Sequence, residues 1–150
     1  MSDGRARLRA AFAEADRPVL IPYVMAGFPD VATSLAHARA LQPYAGILEI
    51  GIPFSDPLAD GPTIQSAGQR ALDGGVRPAD VLEMAAALRD GPPVVLMTYV
   101  NLLLAQGARV FVERAAAAGV AGLIIPDLPV DEGDEIRRAA DRAGVALVPL

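Results

Sequence analysis

The sequence predicts an α/β fold built on a parallel sheet. Three observations carry this. The runs VLIPYVM, ILEIGI, PVVLMTY, GLIIP and VALVPL are apolar at nearly every position, as strands buried on both faces are. The segments between them are long enough for helices, which parallel neighbours need as crossovers. Strand and helix alternate along the whole chain, the pattern of βαβ units.

The elements follow in order. Residues 4–15 read as a short amphipathic helix, because Leu8, Ala11 and Phe12 recur at helical spacing. Val19–Met25 is the first strand. Pro29 and Asp30 open a helix over about 31–42. Ile47–Ile52 is the second strand, followed by a long loop from Pro53 to Gly61. Pro62 suits the first position of a helix that runs to about Leu72, where Gly74-Gly75 breaks it. Pro78 starts the next helix, to about Arg89, and Pro93–Tyr99 is the third strand. Asn101–Ala118 is helical with a break near Gly107. Gly122–Pro126, a helix over Asp131–Ala143 and a fifth strand over Val145–Leu150 complete the chain. No linker or low-complexity stretch divides it, so residues 1–150 are expected to form a single domain. Two architectures fit this order: a five-stranded doubly wound sheet, or a (β/α)8 barrel, which normally takes about 250 residues.

Composition excludes several classes of function. The formal net charge is −5, pI is near 4.7, and the basic residues form no stripe, so nucleic acid is not an expected partner. No apolar run approaches the roughly 20 residues that span a bilayer, and the start MSDGRARLRAAF has no apolar signal core. The expected location is cytoplasmic. There is no cysteine, and all 13 basic residues are Arg. Disulfides, thiol nucleophiles, Schiff-base lysines and P-loop lysines are thereby excluded. With the single histidine, His37, expected on a solvated helix face, no metal site is expected.

Both architectures place function at the carboxyl ends of the strands, and polar residues collect there. The stretch ILEIGIPFSDPLADGPTIQ, residues 47–65, carries Glu49, Asp56 and Asp60. Side chains alternate along a strand, so Leu48, Ile50 and Ile52 share one face while Ile47, Glu49 and Gly51 share the other. An acid inside so apolar a run is costly to bury. Desolvation raises its pKa and makes it a usable proton donor or acceptor near neutrality. Glu49 could instead be a structural acid paired with an Arg, and Asp60, ahead of Gly61-Pro62, could cap the following helix. Tyr99 and Asn101 end the third strand, and Asp127 follows the fourth, where it is expected to order its loop.

LEIGIPFSDPLADGPTIQ closely resembles the signature of the tryptophan synthase alpha subunit family. LIPYVMAGFPD, VVLMTYVN and GVAGLIIPDLPVDE agree in order, so that the resemblance runs from about Pro18 to the last residue. It implies a (β/α)8 TIM barrel, of which this chain would hold an N-terminal helix and roughly strands 1–5. It implies a lyase, of the carbon–oxygen class by its overall reaction, acting in tryptophan biosynthesis. The family's alpha reaction is retro-aldol cleavage of indole-3-glycerol phosphate to indole and glyceraldehyde 3-phosphate. It uses no cofactor, and pyridoxal phosphate belongs to a beta subunit that receives the indole in an alpha2-beta2 heterotetramer. The two catalytic acids of the family fall on Glu49 and Asp60. Tyr23 matches an aromatic that lines the indole pocket, and Tyr99 is expected as a second wall of it. Asp56 and Asn101 match positions at or near the beta-subunit interface, although helix capping explains Asn101 equally well.

The residues agree with that chemistry. Breaking a carbon–carbon bond needs an electron sink, and without Lys there is no iminium route. Protonation of the indole ring at C3 supplies the sink instead. It calls for one acid to move protons and one carboxylate to stabilise positive charge at the ring nitrogen. Glu49 on an apolar strand suits the first role and Asp60 in a polar loop the second. The substrate's phosphate has no evident binder here. In (β/α)8 barrels such groups are often held after strands seven and eight. The chain is therefore expected to be an N-terminal portion that is inactive alone.

Overall fold

The computed structural model describes residues 3–16 and 18–150. Helix α1 (Gly4–Ala13) leads into strand β1 (Tyr23–Met25), α2 (Val31–Leu41), β2 (Leu48–Gly51), α3 (Pro62–Asp73) and α4 (Pro78–Ala86). Then come β3 (Val94–Met97), α5 (Val100–Gln106), α6 (Ala108–Ala117), β4 (Val120–Ile124), α7 (Asp134–Ala143) and β5 (Ala146–Val148). All four strand pairings are parallel and the spatial order is β1-β2-β3-β4-β5. That order decides between the two architectures. A doubly wound sheet reverses its strand order at a switch point. Strictly sequential parallel neighbours with right-handed crossovers put every helix on the same side, as in a barrel. The chain forms strands one to five of a (β/α)8 barrel.

The register sorts the side chains into two faces. Val24, Ile50, Leu96 and Leu123 are paired across the sheet, buried, and part of one core with Ala38, Ala71, Val81, Phe111, Val112, Ala115 and Ile136 from the helices. The opposite, inner face is stacked in layers. Tyr23, Glu49, Val95, Gly122 and Ala146 are in register, and two residues further on so are Met25, Gly51, Met97, Ile124 and Val148. Glu49 is thus the carboxylate of the inner face, between Tyr23 and Val95.

Helix α1 lies across the amino ends of the last strands. Asp3 caps it by accepting from Arg5 N–H at 3.0 Å. Gly4 N–H donates to Gly144 O at 2.7 Å, and Arg7 Nη1 donates to Gly119 O at 2.8 Å. A Cβ on Gly4 would lie 2.0 Å from Ala121 O, so only glycine permits this approach. Leu8 reaches Gly122 from below, whereas Phe12, expected on the apolar face, is 55% exposed.

Boundaries move where proline and glycine dictate. The first strand starts at Tyr23 rather than Val19, because Pro18 and Pro22 have no N–H for a ladder, and Leu20 and Ile21 face solvent. The fourth begins at Val120, two residues early, with an irregular register between Val94 and Val95. The last helix starts at Asp134 because Glu132 N–H closes a turn onto Pro129 O and Gly133 becomes the N-cap. The break near Gly107 is present, with φ +81° separating α5 from α6. His37 is exposed on α2.

Candidate active site

The inner face of β1 and β2, together with the loops that follow β2 and β3, brings Tyr23, Glu49, Asp60 and Tyr99 within electrostatic reach of one another. Glu49 is half-buried on the inner face beside Tyr23. Its pKa is raised, mainly by burial and further by the negative charge of Asp60. It forms no ion pair with any Arg among the described residues, so the structural ion-pair reading has no support. The Tyr23 ring extends over Gly51, where an added Cβ would lie 1.9 Å from the phenol oxygen. Glycine in the layer above Glu49 therefore makes room for the phenol. That hydroxyl has only a weak contact with Met25 Sδ at 3.9 Å. Its pKa is raised by burial first and then by Asp60, Glu49 and Tyr99, so it stays a proton donor.

Asp60 stands at the end of the β2–α3 loop, half-buried. It does not cap α3: the N-cap is Gly61, no side chain closes that end, and Pro62 occupies the first turn. Gln65 Nε2 donates instead to the Asp60 backbone carbonyl at 2.8 Å. The Asp60 carboxylate thus has no structural duty in the helix and faces the neighbourhood of Glu49, Tyr23 and Tyr99.

Tyr99 is 1% exposed and is the N-cap of α5. Its ring stacks on Phe54, centroids 5.0 Å apart and planes at 23°, and its hydroxyl accepts from Ala59 N–H at 3.1 Å. Burial raises its pKa, with Asp60 and Asp127 adding to the shift and the Ala59 bond opposing it. Asp127 Oδ1 accepts from Val100 N–H at 2.9 Å, so it tethers the start of α5 to the β4 loop. Asn101, in the first turn of α5, is exposed and caps nothing. Asp56 is exposed and accepts from the Ser55 hydroxyl, with Leu58 nearby 86% exposed. Phe54, Gln65 and the Ala59 amide were not singled out by the sequence. A loop aromatic two residues after a strand was the one available signal.

Comparison with known proteins agrees with this fold. Residues 10–150 match the family model described as tryptophan synthase alpha chain. The tryptophan synthase alpha chain of Carboxydothermus hydrogenoformans is 52% identical over 134 residues, covering 87% of this chain and 50% of that relative. That of Gloeobacter violaceus is 46% identical, covering 99% of this chain and 55% of its own length. Among solved structures, tryptophan synthase from M. tuberculosis aligns at TM-score 0.91 and 39% identity, over 99% of this chain and 60% of that one. A chain of the tryptophan synthase complex from Pyrococcus furiosus aligns at 0.84 and 42%, over 87% and 55%. The chain spans about half the length of the curated relatives it matches. A sequential parallel sheet and a family match over residues 10–150 lead to one conclusion: this chain belongs to the tryptophan synthase alpha chain family.

Proposed function

We propose that residues 1–150 form one incomplete barrel domain holding the acid–base half of an indole-3-glycerol phosphate lyase. The observation that carries this is the half-buried Glu49, on the inner face with a raised pKa and Asp60 beside it, in a chain of this family. A carboxyl group whose pKa is raised by burial and a neighbouring negative charge holds its proton to higher pH than a solvated one, which suits general acid catalysis. Glu49 protonates indole C3 and takes the proton from the glycerol hydroxyl, directly or through a relay. The carbon–carbon bond then breaks, its electrons flow into the protonated ring, and indole and glyceraldehyde 3-phosphate separate. Asp60 accepts a hydrogen bond from the indole N–H and stabilises the positive charge that develops there. Tyr23 and Tyr99 wall the ring.

The alpha reaction in this reading uses no cofactor and no metal. Pyridoxal phosphate belongs to a beta-subunit partner, in an alpha2-beta2 assembly in the cytoplasm. One relative, from Pyrococcus furiosus, was solved as an "a2b2 complex". Asp56 and Asn101, both exposed at the carboxyl-end face, are the proposed contacts with that partner. Among the described residues no helix is long and apolar enough to cross a membrane.

In a chain of the relatives' full length, Glu49→Gln is expected to lower kcat for cleavage by at least about 100-fold, the usual worth of a general acid. Turnover at the parental rate would refute the assignment. The β2–α3 loop joins Asp56 to Asp60, so partner binding is expected to order it and raise activity. Steady-state cleavage with and without the beta subunit measures this, and equal rates would rule the coupling out.

A further inference from the structure

The loop that carries Asp60 takes almost no part in the backbone hydrogen bonding of the fold. The ladder ends where Ile52 N–H donates to Met97 O at 2.9 Å, and bonding resumes where Gln65 N–H donates to Gly61 O at 2.9 Å. Among the described residues, none of residues 53–60 makes a backbone–backbone hydrogen bond. A link of this kind is held by side chains or is free to move.

Among the described residues, side-chain contacts hold it, one of them between the Tyr99 hydroxyl and the Asp60 side chain. Ala59 N–H donates to the Tyr99 hydroxyl at 3.1 Å, one residue before Asp60. Phe54, near the start of the loop, stacks on the Tyr99 ring at 5.0 Å. Gln65 Nε2 donates to the Asp60 carbonyl at 2.8 Å, one peptide further on. Tyr99 is itself immobilised: it is 1% exposed, begins α5, and the next N–H is bonded to Asp127 Oδ1 at 2.9 Å. One rigid aromatic residue at the end of β3 thus grips the loop at both ends, and Gln65 grips the far side of Asp60.

We propose that Tyr99 is a positioning residue for Asp60, acting through the Ala59 amide and Phe54, with Gln65 as the second grip. The inference rests on the charge-stabilising role of Asp60 proposed above. Such a role tolerates little misplacement, because a shift of about 1 Å costs on the order of 100-fold in rate. Tyr99 need not touch the reacting atoms for this.

The test is Tyr99→Phe in a chain of the relatives' full length. It keeps the ring and the stack and removes the hydroxyl, which accepts from Ala59 N–H and also lies within hydrogen-bonding reach of the Asp60 side chain. We expect kcat for cleavage to fall about fivefold to tenfold, the worth of one hydrogen bond. KM is expected to stay within about twofold, because the interaction being placed forms mainly in the transition state. The Ala59 amide should exchange with solvent correspondingly faster by NMR, while the β3 amides keep their protection. Gln65→Met should act in the same direction, and it tests the idea if Tyr99→Phe does not fold. The proposal is overturned by unchanged kcat, or by a fall in kcat with Ala59 exchange unaltered. Asp60→Asn is measured alongside. Parental turnover in that variant would mean that the role of Asp60 is wrong, whatever Tyr99 does.

Discussion

Glu49 places function and stability in opposition at one side chain. Burial and the nearby charge of Asp60 raise its pKa, so the folded chain disfavours the carboxylate. Below the unfolded value, about 4.3 for Glu, the group is protonated in both states and costs nothing. As pH rises through the window up to the folded pKa, the unfolded chain releases the proton first and stability falls. Above that window the full cost is present. Glu49→Gln removes the titration, so the variant should melt at a higher temperature than the parent at pH 7, and the difference should vanish near pH 4. Thermal melts at the two pH values measure this; equal melting at pH 7 would mean that the strand accommodates the charge without strain. That Glu49 and Gly51 share the face opposite Leu48 and Ile50 was legible from period-2 alternation. That Gly51 makes room there for the Tyr23 phenol was not, because the clash involves two strands 28 residues apart in sequence.

At the scale of elements, caps show where local reading stops. Asp3 and Asp30 cap their own helices through Arg5 and Thr33 N–H, within three residues along the chain. Helix α5 has no such residue. Asp127 supplies the oxygen from the β4 loop, 27 residues away, while Asn101 stands exposed. Asp127→Ala should cost about 1 kcal/mol, as the loss of a capping oxygen does, and Asn101→Ala much less. Urea denaturation of the two variants measures this, and equal midpoints would remove Asp127 as the cap. Because Tyr99 starts α5, Asp127→Ala should also loosen the grip on the Asp60 loop.

At the scale of the molecule, sequential strand order leaves β1 and β5 as the two edges of the sheet within these residues. A parallel edge with unpaired N–H and C=O groups invites pairing with another chain. Tyr44, Leu58 and Val130 add exposed apolar surface. Residues 1–150 expressed by themselves are expected to associate with concentration and to show no measurable cleavage. Sedimentation velocity across a concentration series, with a cleavage assay on the same samples, tests both. A monomer at every concentration, or measurable turnover, would contradict this account.

The sequence alone determined the alternation of strand and helix, the parallel sheet, the helix break at Gly107 and the candidate acids Glu49 and Asp60. These rest on periodicity, proline and glycine stereochemistry, and the signature around residues 47–65, all local in sequence. Periodicity left a barrel and a doubly wound sheet both open; the family resemblance implied the barrel, and the tertiary structure showed the sequential strand order that separates the two. The tertiary structure alone placed α1 across the amino ends of the strands, put Asp127 at the start of α5, freed Asp60 from capping, and laid Tyr99 against both ends of the Asp60 loop. The physical reason is common to these. Each depends on contacts between segments far apart in the chain, and residue order records local preference but not which distant groups the packing brings together.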